Sequence, residues 1–128
     1  MHHSRPVAFV FDVQSDDIEG AARFWAGALG RTVAPPNPQH PTYRELSSAS
    51  PEEPMLLVQS SVGHESRIHL DIETDDQEAE VKRLEGLGAK LLRKVKTWYV
   101  MEAPTGHRFC VVRPQRGELT DQNSNVWP

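Results

Sequence analysis

The sequence predicts an α+β fold of two tandem βαβββ modules, and two observations predict it. The first is an internal repeat. FDVQSDDIE at 11–19 lies over LDIETDDQE at 70–78, matching Asp12 with Asp71, Asp16 with Asp75, Asp17 with Asp76 and Glu19 with Glu78. Hydrophobic and polar positions between them also pair like with like, and only Ile18 over Gln77 breaks the match. The second observation is the order of signals. Each copy runs from a strand-like stretch into an amphipathic helical pattern ending in Leu-Gly, then into three strand-like runs divided by turn residues. A repeat of about half the chain is too long for a solenoid unit and suits two copies of one supersecondary module.

In the first copy VAFVFDV, 7–13, is rich in Val and Phe and reads as a strand. Asp16 or Asp17 then caps a helix through Arg31, because Ile18, Ala22, Trp25 and Leu29 recur at helical spacing and Gly30 supplies the stop. Trp25 is assigned to the core. Strands are expected at 31–34, 42–47 and 55–60, separated by the Pro-rich loops PPNPQHP and SASPEEP. In the second copy RIHLDIE is the strand and 76–87 the helix, with Val81, Leu84 and Leu87 as its stripe and Gly88 as its stop. Strands follow at 90–96, 98–102 and 107–113, with APTG as the turn before the last. The modules fall at about 6–62 and 63–114 of a single domain. The polar tail 115–128, apolar only at Leu119, Val126 and Trp127, is expected either to be loose or to dock on a neighbour.

Composition narrows the function classes. At 128 residues, 38% hydrophobic and 25% charged, the chain suits one ordinary soluble domain. A net charge of -4 with scattered basic residues gives no footprint for nucleic acid. No apolar run approaches the roughly 18 residues of a membrane span, and MHHSRPVAF lacks a signal-peptide core, so the expected location is cytoplasmic. One cysteine cannot form an intrachain disulfide. His2 and His3 are set aside as a non-native leader. Phosphate loops, paired cysteine sets, HExxH and serine-nucleophile motifs are all missing from the sequence.

The module order, AARFWAGALGRTV at 21–33, IHLDIETDD followed by LEGLGAKLL, and APTGHRFCVV before the final strand together resemble the vicinal oxygen chelate superfamily. That superfamily includes glyoxalase I, bleomycin-resistance proteins and extradiol dioxygenases, and the likeness is to its glyoxalase-like subgroup. The resemblance implies a curved mixed sheet around a cavity, a homodimer, and a divalent metal held at the first and last strands of each module. His69 then stands at a ligand position, Val10 at its repeat partner, and Cys110 where the family carries a carboxylate. The fourth position falls in MLLVQ, where Gln59 has a donor atom and Leu57 matches equally well. His69 and Gln59 are therefore the candidate metal ligands, for zinc, nickel, manganese or iron.

Alternation places His69 with Asp71 and Glu73 on one strand face. Cys110 reads as a small apolar residue at a lost ligand position, against a metal ligand or a reactive thiol. Asp71 and Asp12 read as structural carboxylates or as lining for a polar cavity mouth. Trp98 suits either the core or a planar ligand, and Tyr43 or Arg44 faces the cavity. His40 and His64 lie in loops, and His107 at its turn is expected to be solvated. The resulting ligand-binding set is His69, Trp98, Cys110, Tyr43 and Asp71, for a small organic molecule. Lyase, isomerase or oxygenase chemistry is one reading. Val10 and Cys110 argue against standard glyoxalase I activity. A metal-free sequestering protein of the bleomycin-resistance type and a non-catalytic dimeric accessory domain are the alternatives.

Overall fold

The computed structural model describes residues 1–48 and 50–128, so one residue of the loop predicted at 48–54, Ala49, lies outside the described residues. The chain divides into two compact units, Ala8–Ile68 and a second made of Met1–Val7 with His69–Pro128. The predicted strands and helices follow in the expected order, with a further strand in the tail, and two helices among the described residues with mixed parallel and antiparallel pairing give an α+β fold.

In the first unit the end of β1 (His2–Asp12) pairs in parallel with β4 (Met55–Gln59), from Ala8↔Met55 to Asp12↔Gln59. β3 (Tyr43–Ser47) pairs antiparallel with β4, and the short β2 (Thr32–Val33) with β3. The helix α1 (Ile18–Leu29) covers one face. Its Asp17 carboxylate accepts from the Gly20 N–H at 2.9 Å, filling one of the orphan donors of the first turn. Gly30 ends it at φ 69°, a left-handed conformation that costs glycine nothing. Phe11, Ala22, Ala26, Leu46 and Val58 form the core, with Val13, Ile18, Trp25 and Leu56 packed around it. Trp25 stacks on Phe11 with ring centroids 4.2 Å apart.

In the second unit β5 (Arg67–Thr74) pairs in parallel with β8 (Arg108–Val112), and β7 (Trp98–Glu102) lies between β8 and β6 (Lys90–Val95). The helix α2 (Gln77–Gly86) is capped by Asp76, whose carboxylate accepts from Ala79 N–H at 3.1 Å, so the aligned aspartates Asp17 and Asp76 do the same work. Val81, Leu84, Met101, Phe109 and Val111 form this core, with Leu70, Ile72 and Tyr99 packed against it. The side chains that alternate with these occupy the face away from α2: His69, Asp71 and Glu73 on β5, Cys110 and Val112 on β8, Trp98 and Val100 on β7.

Three expectations need correction. The stripes end early: Leu29 is 45% exposed and Leu87 68% exposed, each at the end of its helix where the chain is already turning toward the next strand. The first strand begins at His2, because His2, His3 and Ser4 pair antiparallel with β9 (Asn125–Trp127). The two histidines therefore belong to the fold, and the tail docks within its own unit, with Leu119 buried. No helix among the described residues is long and apolar enough to cross a membrane.

Leu46 is 1% exposed at the centre of the first core. Leu46→Ala should destabilise the protein by about 2–5 kcal/mol, since the cavity adds to the lost transfer term. Urea denaturation followed by circular dichroism measures this, and a loss well under 1 kcal/mol would show that the core collapses around the gap.

Candidate functional site

The parallel register of β5 on β8 sets Leu70 beside Phe109, Asp71 beside Cys110 and Ile72 beside Val111. Asp71 and Cys110 thus project from neighbouring backbone positions on the same face, and His69, two residues earlier on β5, joins them. One donor atom from each of His69, Asp71 and Cys110 lies within 4.8 Å of the others. His69 Nε2 is 3.2 Å from Asp71 Oδ1. That spacing is an ion-pair contact without hydrogen-bond alignment, and Oδ1 is a buried oxygen with no hydrogen-bond partner among the described residues. His69 is 9% exposed and Cys110 8%, so the cluster is withdrawn from bulk water on two sides.

An imidazole nitrogen, a carboxylate oxygen and a sulfur form a donor set suited to zinc and its borderline neighbours, and poorly suited to calcium or magnesium, which take oxygen. Metal bonds of about 2.0–2.3 Å in a tetrahedral site place ligand atoms roughly 3–4 Å apart. The His69–Asp71 spacing already has that value, and the 4.8 Å limit leaves the third donor within a rotamer adjustment. The poorly satisfied Asp71 oxygen fits the same account, because a buried carboxylate oxygen is normally partnered.

The other candidates are placed as follows. Val100 pairs with Cys110, and Trp98, half-buried, lies two residues before Val100 on that face. Gln59 is in the first unit, the register partner of both Asp12 and Tyr43, so those three form a row on the face away from α1. Asp12 is 4% exposed with Oδ2 3.8 Å from His64 Nε2. Tyr43 meets His40 edge to face at 6.2 Å. Arg44 is buried on the helix side and pairs with Glu19. His107 is exposed and contacts Thr105 Oγ1 at 2.8 Å.

Sequence reasoning gave Asp71 a structural or lining role and left it out of the donor set. The signal for it was present in the alternation that put it on the His69 face. Four buried or clustered ionisable groups were given no partner from the sequence: His2 and His3, which were set aside, Glu73, which was placed only on the His69 face, and Glu80, which was not singled out. Terminal position hid the histidines, the partner of Glu73 is Arg5 on a strand distant in sequence, and a Glu within a helix, as Glu80 is, reads as solvated unless its partners are known.

The profile of a family described as Glyoxalase-like domain matches residues 8–112. No curated protein matches the sequence. Among solved structures, the chain is similar to methylmalonyl-CoA epimerase from Mycobacterium tuberculosis, at 16% identity over 86% of this chain and 87% of that one, with a TM-score of 0.60. A glyoxalase/bleomycin resistance protein/dioxygenase superfamily member from Vibrio splendidus matches at 17% identity, covering 84% of this chain and 98% of that one with a TM-score of 0.54. A Streptomyces coelicolor methylmalonyl-CoA epimerase variant in complex with 2-nitronate-propionyl-CoA matches at 14% identity over 91% and 98%, with a TM-score of 0.55. At these identities the likeness establishes the fold alone.

Burial of Cys110 sets its reactivity toward large reagents. A bulky thiol reagent should label Cys110 slowly in the native protein and to one equivalent in denaturant. Fast native labelling would show a cluster open to solvent.

Proposed function

We propose, from the premise that the chain belongs to the glyoxalase-like domain family, that it binds a small oxygen-bearing organic molecule at a divalent ion held by His69, Asp71 and Cys110. The observation that carries this reading is the convergence of three different donor types on one sheet face. When bound, such an ion supplies Lewis-acid polarisation of a ligand oxygen. The chain's own residues supply the rest. Asp71 and Cys110 are fixed by the β5–β8 ladder, so their backbone spacing is set before any ligand arrives. Val100 and Val112 border the donors with apolar surface, and Trp98 offers a half-buried aromatic face for a planar or acyl group. One solved neighbour holds 2-nitronate-propionyl-CoA, and an acyl ligand rich in oxygen is the class we assign here. A thiolate in place of a carboxylate makes the site softer, which favours zinc over manganese.

Titration of metal-stripped protein with zinc, and with cobalt to report a sulfur-to-metal absorption band, tests the reading. One equivalent should bind. His69→Ala and Asp71→Ala should each weaken binding by at least the roughly 10–100-fold that loss of even an outer-shell partner costs. Cys110→Ser should abolish the sulfur band. Failure of the parent protein to bind either ion at stoichiometry, or equal binding by all three variants, would leave ligand binding without metal as the account of this fold.

A further inference from the structure

We propose that His3 is a protonated latch that fastens the C-terminal turn and β9 onto their unit, and that loss of its proton releases them. The backbone of His3 is locked first. Its N–H donates to Asp75 Oδ1 at 2.7 Å, its carbonyl accepts from Thr74 Oγ1 at 2.7 Å, and it pairs with Val126 of β9. The imidazole is thereby aimed between two carboxylates. Nδ1 is 2.6 Å from Asp75 Oδ2, and Nε2 is 2.7 Å from Asp121 Oδ1 in the C-terminal turn. A neutral imidazole has a single N–H, so one of these contacts would set a nitrogen lone pair against a carboxylate oxygen. Both nitrogens donate only in the imidazolium.

Three consecutive residues of β1 hold the tail. His3 takes Asp121, the Ser4 Oγ accepts from Trp127 Nε1 at 2.8 Å, and Arg5 donates to the carbonyl of Asn123 at 3.1 Å. Arg83 of α2 also lies over the Trp127 ring at 3.8 Å. Of the three β1 side chains, His3 alone belongs to a type that titrates near neutral pH. The charged groups around it are Asp75 at the end of β5, Asp121 of the tail, and Arg5 on its own strand, itself paired with Glu73 of β5 at 3.0 Å. His2, on the opposite side of the strand, meets Glu80 of α2 at 2.8 Å, and Glu80 is bound by Arg83.

The hydrogen bond to Asp121, then that to Asp75, raises the His3 pKa above its ordinary 6.5. Partial burial pushes Asp75 up, but the backbone and side-chain hydrogen bonds from His3 outweigh it and hold the carboxyl below its ordinary 3.8. Because the folded-state value of His3 is raised, its contribution is complete below about 6.5 and disappears as pH climbs through the raised value. The Asp75 contribution has the opposite sense, present above about 3.8 and lost as pH falls through the lowered value. The latch is therefore closed at mildly acidic pH and opens on the alkaline side. Asp121, 65% exposed, is the contact that lets go, since Asp75 keeps the His3 backbone N–H.

The test combines a titration of the imidazole ring by heteronuclear NMR with hydrogen exchange of residues 117–128, corrected for the intrinsic pH dependence of exchange. In the parent protein the ring should titrate above 6.5, and tail protection should fall severalfold across the same pH interval. His3→Gln should leave the tail weakly protected at every pH, with no step. Asp121→Asn should return the His3 titration toward 6.5. A ring that titrates at or below 6.5, or a tail whose protection is flat across the titration or unchanged in His3→Gln, would overturn the latch.

Discussion

The register of β5 on β8 is the constraint on which the second unit depends. Leu70 with Phe109 and Ile72 with Val111 fix the apolar pairs under α2, and the same register then leaves Asp71 beside Cys110 on the other face. A slip of one residue would turn His69 and Asp71 toward the helix and Leu70 and Ile72 outward, so core packing and donor placement are one choice. Parallel pairing cannot be closed by a tight turn, and the chain uses α2, β6 and β7 to return to β8. The first unit obeys the same logic, with Phe11 opposite Val58 in its core and Asp12 opposite Gln59 on the other face.

Two carboxylates in the second unit, Glu73 and Glu80, have no exposed surface. Burial alone would push Glu80 toward neutrality, but hydrogen bonds from Arg83, His2 and Ser4 hold it below its usual range. Glu73 is met by Arg5 on one oxygen and by the Gln115 N–H at 2.9 Å on the other. The partners on β1 all lie within residues 2–5, which makes the start of that strand a structural counter-charge as well as an edge for β9. Losing one partner of such a group costs far more than the pair contributes, because the charge left behind stays buried.

How much of this was legible in the sequence follows from what each feature depends on. Local chemistry was readable: a cap at Asp16 or Asp17, Gly30 as a stop, and Val81 and Leu84 as a buried stripe all follow from neighbours within a few positions, and the repeat sets Asp76 over Asp17. The break in the repeat also has a physical reason. Ile18 packs against the first core, whereas Gln77 spends its amide on the carbonyls of Thr97 and Val111, at 2.7 and 3.1 Å. What could not be read were pairings between distant segments. The role of His2 and His3 depends on β9 arriving beside them, more than a hundred residues on, and the contact of Asp71 with Cys110 depends on β8 being the strand next to β5. Resemblance supplied His69 and the position of Cys110, and alternation supplied the face of Asp71. Strand order joined them.

The packing role of Cys110 and the ligand role proposed for it involve the same atoms in two charge states. As a neutral thiol it suits a buried position next to Val100, where it behaves as a small hydrophobe. As a thiolate it would be a second negative charge close to the Asp71 carboxylate, away from bulk water, and that state favours a cation to balance it. The imidazolium of His69 or a divalent ion could fill that role, and an ion bound as proposed would do so more completely because it would meet all three donors. Binding of an ion at this cluster, as proposed, would be coupled to release of the thiol proton, and affinity would rise with pH. A carboxylate at position 110 would ionise without such help, so under the proposed reading the cysteine would exchange a standing negative charge for one that forms when the cation arrives.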